Sequence, residues 1–141
     1  MLFVACPYFF PTEKSANISW PFPRRLPLGA GFCGSCLAGG THKPDEHELR
    51  EFCNIGYARD CRRIPAERRT DAVSFAVAKD GGDHILLHYS TERDYAPVEH
   101  GQLRYDCASR VWPVSHPDAC IQRQAECYVS LYLERRTRNA G

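Results

Sequence analysis

Eight cysteines stand in a chain of 141 residues, and five of them, Cys6, Cys33, Cys36, Cys53 and Cys61, fall in the first 61. Cys33 and Cys36 are set as Cys-x-x-Cys. Thiols gathered this way cross-link a secreted fold, hold a metal or iron–sulfur centre, or run redox chemistry. Each choice imposes a different fold on the segment that carries them.

The length is that of one ordinary domain, with enough apolar content for a core and no need of disulfides to fold. Met1-Leu2-Phe3-Val4-Ala5-Cys6-Pro7 has no basic region and only a very short apolar run. It fails as a signal peptide. No segment approaches the ~20 apolar residues that span a bilayer. The expected location is cytoplasmic, where cysteine clusters bind metal or act catalytically more often than they pair. The net charge is +1, and Arg24-Arg25, Arg62-Arg63, Arg68-Arg69 and Arg135-Arg136 are offset by nearby acids. Nucleic acid is not an expected partner, and the arginine pairs read as solvated surface.

The expected fold is a single α+β domain over 1–141, with a cysteine-rich binding part (1–63) and a supporting part (71–136). Residues 1–43 hold five of the ten prolines, and Gly29 to Gly40 holds five glycines. No helical or strand period survives there, so an ordered irregular layer tied down by a metal centre is expected. A central helix is expected from about Asp45 to Gly56 or Tyr57. Pro44 would sit in its first turn, acids at its positive end, and Leu49, Phe52, Cys53 and Gly56 on one face. Ala72 to Ala78 alternates with period two. Lys79 to Asp83 reads as a hairpin turn, His84 to Tyr89 as the return strand, and Gln102 to Tyr105 as a third strand after a loop with Pro97 and Gly101. That makes a small antiparallel meander. A closing helix should run from Pro117 to Arg136, capped by Ser115 or His116, with Ile121, Ala125, Tyr128 and Tyr132 as its stripe.

Zinc bound by four sulfurs usually uses two Cys-x-x-Cys knuckles, and this chain has one. Scattered single cysteines suit a larger centre such as a [4Fe–4S] cubane, whose corners face different directions. The preferred ligands are Cys6, Cys36, Cys53 and Cys61, each from a separate segment, with Cys33 as the alternate to Cys36. Continuous helix between Cys53 and Cys61 would hold them about 12 Å apart, so the chain must bend, and Gly56 is the natural place. Tyr8, Phe9, Phe10, Trp20, Phe22 and Phe32 would wall the centre off from water. Arg59, Arg62 and Arg63 would offset its negative charge. His42 or His47 could replace a cysteine. Cys107, Cys120 and Cys127 read as small buried hydrophobes.

The expected function is thus [4Fe–4S] binding for one-electron transfer or redox sensing, with a redox partner protein or a larger complex around it and no membrane insertion. The alternatives are a zinc-stabilised interaction module without redox role, and a thiol oxidoreductase using Cys33 and Cys36. No phosphate loop, dinucleotide fingerprint or nucleophile elbow is present.

Overall fold

The computed structural model describes residues 4–15, 20, 26–64 and 69–140, with only the backbone of Arg59 and of 138–140. Phe22, Arg24, Arg25 and Arg68 lie outside the described residues.

The fold is α+β, with two antiparallel sheets and two helical segments. The first sheet pairs β1 (Phe9–Lys14) with β2 (Phe32–Cys36). This corrects the expectation of an irregular layer without strands. Prolines and glycines hide the pair because both serve it. Pro11 sits where the register slips before Glu13, a bulge that tolerates a missing N–H. Gly34 faces the partner so closely that a Cβ would meet the Phe10 carbonyl oxygen at 2.1 Å.

The central helix is shorter and wider than its pattern suggests. Asp45 caps it, accepting from the Glu48 N–H at 2.8 Å, while the Glu48 carboxylate accepts from the Asp45 N–H at 3.1 Å. This capping box puts Pro44 outside the helix rather than in its first turn. After one turn, α1 (Glu46–Glu48), the winding loosens into a π turn over Leu49–Cys53, which buries Leu49 and Cys53. Gly56, at φ +119°, follows it. A 3₁₀ turn, Ala58–Asp60, leads to Cys61.

The meander is β3 (Ala72–Asp80), β4 (His84–Arg93) and β5 (Ala96–Asp106), in that order. The first hairpin lies where the sequence places it, with Gly82 at φ +85°. The third strand is much longer than expected and takes in Pro97 and Gly101. Among the named strands it pairs with β4, with one further bridge from Asp106 to Val111 at its end, so the Pro97 position needs no second partner strand. Its turn is Asp94-Tyr95, both at positive φ (50° and 67°), a two-residue turn made without glycine.

The last helix, α2, spans Ala119–Ala140. Asp118, not Ser115 or His116, is its cap, accepting from the N–H groups of Cys120 (2.9 Å) and Ile121 (3.2 Å). The helix packs against β1, β3 and β4. Phe9, Val73, Ile85, Leu87 and Ala125 meet in the core with no exposed surface. Full burial of one such large side chain contributes about 2 kcal/mol. Among the described residues no helix is long and apolar enough to cross a membrane.

Candidate metal centre

Backbone pairing converges on one wall. The Val4–Cys6 segment runs between the edge of β3 and the π turn. Ala5 exchanges two hydrogen bonds with Val73, at 2.8 and 2.9 Å. The Cys6 N–H donates to the Cys53 carbonyl at 3.2 Å, and the Gly56 N–H to the Val4 carbonyl at 2.8 Å. Cys36 ends β2 opposite Phe9 and exchanges two bonds with His42, at 2.7 and 2.9 Å. The Cys61 N–H closes on the Ala58 carbonyl at 2.9 Å, and the Ala58 N–H is held by the Asp71 carbonyl at 2.7 Å.

Asn54, absent from the sequence-derived set, fixes Cys53. Its side chain is 1 % exposed. Oδ1 accepts from the Phe32 N–H at 2.8 Å, and Nδ2 donates to the carbonyls of Phe32 (2.9 Å) and Leu49 (3.0 Å). The amide thus behaves as a third strand segment alongside Phe32 and ties the π turn to β2.

Charge on Cys36 and on Cys61 acts on both Cys6 and Cys53, and charge on Cys6 acts on Cys53. Burial pushes the Cys6 thiol up to about 12; the Tyr8 N–H pulls it back, and charge on Cys36, Cys61 and Cys120 pushes it further. Cys53 is raised higher still, by burial first and then by Cys6, Cys36, Cys61 and Glu48. Cys6, Cys36 and Cys53 are buried and Cys61 is partly open. All eight cysteines are free thiols.

Cys33 is not in this company. Residues three apart on a strand project to opposite faces, and β2 buries Cys36 while leaving Cys33 half-exposed. The Cys-x-x-Cys spacing here spans about 10 Å of extended backbone. Thiols on opposite faces about 10 Å apart along the strand cannot bond each other as a disulfide without breaking β2.

A charged rim borders the thiols. The Glu48 carboxylate accepts from Arg63 Nε at 2.9 Å and lies 3.2 Å from His42 Nε2. Arg63 first, with the Asp45 N–H and His42 adding to it, holds Glu48 down at about 2. The Arg63 guanidinium in turn feels charge on Cys36 and Cys61. His42 is thus turned to Glu48, and His47 packs edge-on against the Phe52 ring at 5.9 Å. Of the expected aromatic wall, Phe9 and Phe32 are buried in the core and Tyr8 packs against it.

Among the described residues, no three His, Cys, Asp or Glu side chains are grouped to hold a metal ion. The thiols share a region without converging on a point.

Cys120 is buried, as its sequence reading as a small hydrophobe expects, and its charge adds to the upward push on Cys6. Nothing local signals this, because it comes from a helix far along the chain from Cys6. Comparison with known proteins finds no family model, no curated protein and no solved structure that matches this chain.

Proposed function

We propose that the chain binds one [4Fe–4S] cluster through Cys6, Cys36, Cys53 and Cys61, and uses it for one-electron transfer or redox sensing. The supporting observation is that Cys6 and Cys53 each feel charge on Cys36 and Cys61, four thiols from four separate segments, three of them buried. Buried thiolates repel one another and are poorly solvated, so four of them ionise together only around strong positive charge. A tetrahedral zinc with Zn–S bonds of about 2.3 Å needs sulfurs nearly in contact, whereas the corners of a cubane hold them further apart. Four thiols that sense one another but are not gathered for one ion fit the second case better.

When bound, the cluster would supply a site that gains or loses one electron. The chain's own residues would set its surroundings. Phe9 and Phe32 would exclude water on the core side. The Tyr8 N–H at the Cys6 sulfur and the Arg63 guanidinium near Cys36 and Cys61 would stabilise negative charge there. Half-buried Cys61 marks the side from which a partner protein would exchange electrons.

Replacement by serine tests the ligand set. Cys6→Ser, Cys53→Ser and Cys61→Ser should each lose most of the iron after anaerobic reconstitution, and Cys33→Ser should keep it. Full cluster content in Cys61→Ser would show the set to be wrong.

A further inference from the structure

The face of the meander turned away from the core carries two histidines side by side. His88 of β4 is the strand partner of Gln102, and Ser90 is the partner of His100 on β5. Opposed residues of an antiparallel pair project to one face, and so do residues two apart on a strand. His88 and His100 therefore stand diagonally on the face opposite Ile85, Leu87 and Leu103, which are buried. Their ring centroids lie 5.9 Å apart at an interplanar angle of 39°. His88 is half-buried and His100 is exposed. Tyr89 and Gly101 hold this register from the core face. They are strand partners, and a Cβ on Gly101 would meet the Tyr89 hydroxyl at 2.9 Å, so the ring uses the space that glycine leaves.

The other four histidines are occupied. His42 turns to Glu48, and His84 Nδ1 lies 2.7 Å from an Asp83 carboxylate oxygen. His116 Nε2 lies 3.2 Å from Glu99, while its Nδ1 accepts from the Asp118 N–H at 2.9 Å. His47 packs on Phe52. Among the described residues, nothing hydrogen-bonds the rings of His88 and His100, and each is the other's ring neighbour. A neutral imidazole always keeps one nitrogen with a free lone pair. Here two such lone pairs share one patch on a paired, regular backbone.

We propose that His88 and His100 chelate one divalent late first-row metal ion, of the kind that nickel, copper and zinc supply. Two imidazoles bound to one ion through nitrogens at about 2.1 Å have ring centroids about 5–6 Å apart. Imidazole suits these ions. No carboxylate stands in the pair and Arg104 follows Gln102 on the same face, so calcium and magnesium, which need oxygen ligands, are not served. Among the described residues no third His, Cys, Asp or Glu joins the two rings. Water fills the remaining positions, which makes this an open site rather than a closed structural one. It uses no thiol and does not depend on the cluster reading.

The test titrates Ni²⁺ into wild type, His88→Gln, His100→Gln and the double variant. The bound ion is located by the broadening it causes in the NMR signals of the histidine ring protons. In wild type, His88 and His100 should broaden together at one ion per pair. Loss of a group that only orients a ligand costs about 10–100-fold in metal affinity, so losing one chelating ring should weaken binding here at least about tenfold. The double variant should bind little more weakly than either single one, because a ring without its neighbour is no longer a chelate. Two rings that bind independently, each unaffected by replacement of the other, would overturn the proposal. So would nickel that broadens other sites and leaves this pair sharp. Wild-type binding no tighter than nickel binds free imidazole would mean an adventitious ion only, and would overturn it too. The wild-type titration is decisive without any variant, and equal melting temperatures show that the outward-facing substitutions leave the fold intact.

Discussion

Gln124 holds Cys6 in place across 118 positions of sequence, its Nε2 donating to the Cys6 carbonyl at 2.8 Å from a site with no solvent exposure. The C-terminal helix therefore holds the Cys6 segment directly as well as packing on the sheet. Removing the amide leaves two buried carbonyls, those of Cys6 and Phe9, short of a donor. Gln124→Leu should cost about 1–3 kcal/mol in urea unfolding. Gln124→Glu should cost more, about 3–5 kcal/mol near neutral pH, since it aims a carboxylate at two carbonyl oxygens. A glutamate variant as stable as the leucine variant would contradict this account.

Asn54 offers a second check, at the other side of Cys53. Its side chain satisfies the N–H and carbonyl of Phe32 together with the Leu49 carbonyl. Asn54→Ala should destabilise by about 2–3 kcal/mol, and Asp should not substitute, because only an amide donates and accepts at once. In a thermal scan the alanine variant should melt about 5–10 °C below wild type.

How the sheets and the thiol wall could be read from sequence differs by element. The first hairpin of the meander was legible because alternation in Ala72 to Ala78 and the Gly81-Gly82 turn are both local. The full length of β5 was not, since its turn uses Asp94 and Tyr95 at positive φ with no glycine to mark it. The β1–β2 pair was hidden more deeply. Pro11 and Gly34 are loop-like in composition, yet one sits at a bulge and the other permits the close approach of two strands. Cys-x-x-Cys misleads for a related reason: the spacing joins two sulfurs on a turn and separates them on a strand. The hold of Gln124 on the Cys6 carbonyl could not be read locally, since only packing brings α2 to that segment.

Acid should expose the rim. Glu48 is held at about 2 against an ordinary 4.5, chiefly by Arg63. A carboxylate whose pKa is depressed on folding adds stability above its unfolded value and loses it as pH falls toward the folded one. The contribution of Glu48 is therefore complete above about pH 4.5 and disappears between there and about pH 2. Urea midpoints of metal-free protein should fall through that window, and Glu48→Gln should fall less steeply. Parallel acid limbs for the two proteins would show that the Glu48–Arg63 pair adds nothing to stability.

The most direct measurement of the central claim is anaerobic purification followed by iron, sulfide and zinc analysis and a visible spectrum on one sample. The account predicts a brown protein with about four irons and four sulfides per chain. A colourless protein carrying one zinc, or no metal at all, would contradict it.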